Sequence, residues 1–195
     1  EKELSRAFKH YRYYFPCKEI PAVYTYISGF NQSIVVADSI LAIGLDKYLG
    51  RNSEVYEQLM VDQYLRNTMR KEMIVSDCMK AWGSTEFPLP DSVAGNVLSN
   101  ILFHGKVVQF QRQMMPGLHD TLLLGFTEKE LEWCEEYERM MWEYLIENNL
   151  LYETDSMVIN KLVNPAPYTR YFTRESPGRA AVWLGWNIVK EYMKP

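Results

Sequence analysis

Three side chains in this sequence have the types and positions for acid–base or metal chemistry: Glu72, His104 and Glu138. Glu72 stands in Lys71-Glu72-Met73-Ile74-Val75, a K-E-x-x-V stretch. It has the length and the glutamate of the zinc-binding H-E-x-x-H helix but neither histidine. At about 100° per helical residue, Glu72 shares a face with Leu65, Thr68, Met69, Val75, Ser76 and Met79. The same projection places Glu138 with Leu131, Cys134, Met141, Trp142 and Leu145, Glu135 being its one polar neighbour. It places His104 with Val97, Ile101, Val107 and Val108, joined by Asn100 and Gln111. Each of the three is therefore expected to point inward, from three separate helices. A buried, unpaired carboxylate is costly and takes up a proton, a cation or a network of donors. The expectation is a buried polar cluster that closes on itself through hydrogen bonds, holds a metal, or faces a ligand.

The elements that must carry these residues follow from periodicity and punctuation. Residues 4–14 are amphipathic and predict a helix, broken by Pro16 and Pro21. "AVYTYISGF" predicts a strand ending at Gly29. "QSIVVADSILAIGLDKYLG" predicts two further strands, or one hairpin, around an Ala-Asp-Ser turn. Residues 54–82 predict one long helix or two abutting ones ending at Gly83, and residues 92–113 another helix with an Asp91/Ser92 cap. Thr127-Glu128-Lys129-Glu130 is a capping box opening a helix to about Asn149. Ser176-Pro177-Gly178-Arg179 predicts the start of the last helix, with Ser176 as N-cap. The sum is an α+β class: one domain over residues 1–195, with a small antiparallel sheet on a predominantly helical bundle.

Composition bounds the function classes. Apolar residues make up 47% and charged residues 24% of the 195 residues, ordinary for a globular protein with a real core. A net charge of -4 builds no basic face, which argues against nucleic acid as a partner. Cys17, Cys78 and Cys134 are widely spaced, form no C-x-x-C, and indicate neither a zinc knuckle nor a redox motif. No apolar run approaches the roughly 20 residues of a membrane span. No signal peptide is visible, and because the chain begins at Glu1 rather than Met this carries no weight.

Several stretches together carry a family likeness: "IPAVYTYISGF", "GLDKYLG", "ILFHGKVVQF", "LGFTEKELEWCEEYERMMWEYLIENNLLY", "NPAPYT" and "SPGRAAVWLGWNIVKEYMK". From about Ile20 to Lys194 the sequence resembles the gliding motility lipoprotein GldB family. Its motif residues here are Asp46, Tyr48, Gly105, Lys106, Pro177, Gly178, Arg179, Trp183 and Trp186. The resemblance implies a cell-envelope lipoprotein on the outer membrane, facing the periplasm or the surface. It implies protein partners in the gliding or secretion machinery. It also implies an acylated N-terminal cysteine as the sole membrane anchor; none stands at the start of this chain, as expected of a sequence that begins after the anchor.

That family is more distantly similar to gluzincin-type zinc peptidases, which implies a zincin-like fold. The H-E-x-x-H position then falls on Lys71 to Val75, and the E-G motif of the next helix on His104-Gly105. A catalytic zinc needs three protein ligands and a water. Protonated Lys71 has no lone pair to give and Val75 has none at all, so this route to hydrolysis is closed. The reading is a non-catalytic domain with no cofactor and no metal. The alternative is a hydrolase: a peptidase with a shifted metal site, or a carbohydrate-active enzyme using Glu72 and Glu138 as its carboxylate pair. Trp183 and Trp186 are three apart on one helix face beside Val182 and Val189, the pattern of core rather than of a sugar platform. Arg179 is expected to pair with Glu175 or Asp46.

Overall fold

A computed structural model describes residues 1–89 and 95–194. The expected Asp91/Ser92 cap lies outside the described residues. The chain divides into two compact units. The first comprises Glu1–Phe87 and Phe110–Gly125, the second Pro88–Gln109 and Phe126–Pro195.

The first unit opens with α1 (Lys2–Tyr14), which buries Leu4, Ala7, Phe8 and Tyr11 at helical spacing on one face. Three strands follow: β1 (Ala22–Tyr26), β2 (Ile34–Ala37) and β3 (Ile40–Gly44). The β2–β3 hairpin turns at Asp38, whose φ of 42° is left-handed, a conformation that aspartate tolerates better than most residues. The sheet is mixed rather than antiparallel. Its order is β1-β3-β2, with β1 parallel and β2 antiparallel to β3. The reason is the loop after β1. Instead of turning back, it passes over the C-terminal end of β3 and enters β2 on the far side. Gly44 makes this possible, since a side chain there would strike the Gln32 carbonyl and Ser28.

The long helix expected over 54–82 is broken. Helices α2 (Glu54–Gln58) and α3 (Gln63–Arg66) are separated at Met60, whose φ is 52°. The chain then becomes extended at Arg70, which bridges to Leu49, while the Gly50 amide donates to the Met69 carbonyl. Tertiary pairing thus overrides a favourable helical sequence. Lys71–Met73 form one 3₁₀ turn, and only from Ile74 does a regular helix begin, α4 (Ile74–Glu86). Its buried face is Val75, Cys78, Met79 and Trp82. Tyr11 is fully buried among Phe8, Phe15, Trp82 and Phe110 and donates to Glu86 at 2.7 Å. Lys18 pairs with the same carboxylate at 3.1 Å. Burial, then the Glu86 acceptor, push the Tyr11 hydroxyl up to about 12.

Helix α5 (Val97–Met114) leads to α6 (Asp120–Leu124), where Gly125 supplies the left-handed C-cap. In the second unit the capping box of Thr127 and Glu130 forms as expected. The helix it opens is not continuous, however. It splits at Tyr137 into α7 (Glu128–Glu136) and α8 (Glu138–Glu147). A short helix α9 (Ser156–Val163) precedes α10 (Ala180–Tyr192).

Helix α10 starts later than Ser176. Its N-cap is Arg179, at a left-handed φ of 57°, and the cap is supplied from a distance: Thr169 Oγ1 accepts from the Ala180 amide at 2.9 Å and donates to the Pro177 carbonyl at 2.7 Å. Ser176 Oγ is instead bonded to Thr169 and Thr173. A side chain at Gly178 would collide with the Ala166 backbone. "NPAPYT" and "SPGR" are therefore two halves of one buried corner. Along α10, Trp183 and Trp186 are both buried, and Trp186 donates to Gln109 at 2.9 Å under the Lys190 ammonium. They are core residues. Gly105 and Gly185 face each other where α5 crosses α10; a methyl on either would meet the other helix's backbone.

Candidate functional site

Glu72 does not point into the core. It lies on the 3₁₀ turn before α4, where residues advance about 120° rather than 100°, so the α-helical projection fails there. Lys71 and Glu72 are exposed while Val75 is buried. Glu72 lines a small cavity of about 200 Å³ with Glu3, Arg6 and His10, and His10 is held by its Nδ1 against the Met114 carbonyl at 2.8 Å. His104 and Glu138 belong to the second unit, so neither unit holds all three residues of the expected cluster. Each has its own local setting. His104 is half-buried with its ring edge-on to Phe103, and Glu138 accepts from Asn187 at 3.4 Å. Among the described residues, no three His, Cys, Asp or Glu side chains gather in a metal-binding arrangement. Lys106 is exposed on α5. The role of Gly105 is the helix crossing.

Asp46 and Tyr48 are structural in a definable way. Asp46, on the 3₁₀ turn Leu45–Tyr48, is buried, and its carboxylate accepts from the Ser28 amide at 2.9 Å, the Ser28 hydroxyl at 2.9 Å and the Phe30 amide at 2.6 Å. Burial works to raise its pKa, but these donors outweigh burial and hold it below the usual carboxylate value. The Asp46 carboxylate is thus engaged with this loop. Gly29 and Phe30 both have left-handed φ, and the carboxylate stabilises that strained turn. The fully buried Tyr56 donates to the Asp46 carbonyl at 2.8 Å, and Tyr48 donates to Asp77 on α4 at 2.8 Å. Burial, then Asp77, raise the Tyr48 hydroxyl above its ordinary value. "ISGF" and "GLDKYLG" are therefore one interlocked unit at the C-terminal end of the sheet.

A larger concavity in the first unit is a different place, and it was not foreseen from the sequence. An apolar groove of about 730 Å³ runs between α1, the sheet and the start of α4. Leu4, Phe8, Ile20, Val23, Ile43 and Ile74 form its walls; among the described residues its titratable lining is Glu1 and Lys9. Val75 lines both this groove and the Glu72 cavity. The legible signals were the Leu4/Phe8 pair on α1 and the Val23/Thr25 alternation on β1. What sequence could not supply was the mixed topology that puts them side by side.

The family model described as gliding motility protein GldB matches residues 1–195, the whole chain. The chain belongs to the GldB family. A search of curated proteins and a search of solved structures each found no match. Membership makes this GldB-family chain a gliding motility lipoprotein of the cell envelope, for which protein partners are to be expected. The family description names a motility role and no reaction. Among the described residues, no helix is long and apolar enough to cross a membrane.

Proposed function

We propose that this domain is a non-catalytic binding component of the envelope motility machinery, and that the groove between α1 and the sheet is where a partner protein docks. The reading places it on the outer membrane as a scaffold, with residues 1–195 folding as one domain. Any kinship with zinc peptidases is then one of scaffold only, because Lys71 and Val75 stand where metal ligands would be needed. The observation that carries the proposal is the chemistry of the groove. It is large, apolar and partly open, and among the described residues no histidine, aspartate or cysteine lines it. Such a lining is suited to burying an apolar partner surface, with Glu1 and Lys9 as its titratable side chains.

The test places a photo-cross-linking residue at Leu45, an exposed residue of the groove rim, in cells that make the full lipoprotein. Cross-links to one discrete protein are expected. They should be lost in Val23→Asp, with the melting temperature of that variant within about 3 °C of the parent because Val23 is exposed. A peptide or glycan hydrolysis rate that is abolished by Glu72→Gln would show that the domain is an enzyme and overturn the reading.

A further inference from the structure

β1 is an edge strand with every residue from Ala22 to Thr25 exposed. It carries Val23 at 42% and Tyr24 at 57% exposure, an unusually apolar and uncharged edge. Its register fixes which backbone groups are engaged. The Ala22 amide donates to the Ser39 carbonyl at 2.8 Å, and Ala22, Val23, Tyr24, Thr25 and Tyr26 pair in parallel with Ile40 to Gly44. In a parallel ladder, alternate residues turn their N–H and C=O to the neighbour. Ala22, Tyr24 and Tyr26 therefore face β3, and Val23 and Thr25 present theirs outward. Among the described residues, no further strand pairs with that edge. The next outward position, Pro21, has no N–H and closes the edge at its start.

The same two residues, Val23 and Thr25, line the apolar groove with their side chains. An outward hydrogen-bonding edge and an apolar cleft are thus contiguous, and their residues share one two-residue period. A helix satisfies its own backbone and an acyl chain has no donors, so neither can use the edge. An extended polypeptide can use both at once, because its backbone pairs while alternate side chains fall on one face. Resting on the binding reading above, we infer that the partner contributes an extended segment that adds as a fourth strand beside β1. Its alternate apolar side chains enter the groove between α1 and the sheet.

The probe is a lysine-flanked, eight-residue peptide alternating valine and threonine, with a twin N-methylated at every second amide. It is added to the ¹⁵N-labelled full chain. The expected result is slowed amide exchange at Val23 and Thr25 with the first peptide, and binding at least tenfold weaker for the twin. Thr25→Pro, which removes an outward donor and no ladder bond, should weaken binding of the first peptide by a similar factor while the amides of β3 stay protected. If the peptide fails to bind, or both peptides bind equally, strand addition is wrong. Protection of β1 that depends on protein concentration without peptide would assign the edge to a second copy. Protection by phosphatidylglycerol vesicles in place of peptide would assign the groove to lipid. Either result overturns the inference. Val23-dependent cross-links to a protein in cells, alongside equal binding of both peptides, would sink strand addition alone and leave the binding reading standing.

Discussion

The carboxylate of Asp46 receives three hydrogen bonds from two residues of a turn that adopts left-handed backbone twice in succession. Asp46→Ala would orphan the Ser28 and Phe30 amides and is expected to cost about 3 kcal/mol, read as a lower urea midpoint. The linkage has a definite sign. The folded-state pKa lies below the unfolded value near 3.8, so the stabilisation is fully present above that value. It is lost as pH falls through the lower folded value. Asp46→Asn should therefore flatten the parent's loss of stability below about pH 4. Thiol reactivity gives a second residue-scale check. Cys17 is exposed, whereas Cys78 and Cys134 are buried. Burial pushes the Cys78 thiol up to about 12 and raises the Cys134 thiol above its ordinary value. Iodoacetamide at pH 8 is expected to label the native protein once, at Cys17, by mass spectrometry.

At the scale of elements, α5 and α10 cross in close backbone contact in the second unit. Gly105 and Gly185 leave no room for a methyl, and relief would require the two helix backbones to separate. Gly105→Ala or Gly185→Ala is expected to lower stability by about 3 kcal/mol, at the upper end of overpacking costs. Gly117→Ala, with nothing within contact distance, should leave the melting temperature unchanged. The "FHGK" stretch illustrates how a motif can be read for chemistry when its constraint is steric. The glycine is fixed by a helix crossing, and nothing in its local sequence shows which helix passes over it. The corner of Thr169 and Ser176 is similar: Ser176 has the residue type and spacing of an N-cap, yet Thr169, far back along the chain, caps α10. Local rules give the presence of a cap but not the residue that supplies it when a loop folds back onto the helix.

For the whole molecule, the single-domain reading has a measurable consequence. Cys78 lies in the first compact unit and Cys134 in the second. Pulse alkylation across a urea series is expected to expose both thiols at one midpoint; two separated midpoints would mean that the units unfold independently. The functional reading belongs to this scale too. A groove built from α1, β1, β3 and the start of α4 exists only once the chain from Glu1 to Val75 has folded, so no short motif encodes it.

The sequence by itself determined the class, the positions of most elements, the capping box at Thr127, the core role of Trp183 and Trp186, and the family. These rest on local periodicity, on local hydrogen bonding and on long runs of identifiable residues. It also showed that Lys71 and Val75 cannot hold a metal, which is chemistry of side chains alone. Only the tertiary structure decided that the sheet is mixed, that Glu72 sits on an exposed 3₁₀ turn, and that an open strand edge adjoins an apolar groove. Each of those depends on contacts between residues distant in sequence: the loop over Gly44, the pairing of Leu49 with Arg70, and the placing of α1 beside β1. A helical projection assumes a regular helix from end to end. At Glu72 the Leu49–Arg70 pairing immediately before it ended that regularity, and so set the direction of its side chain.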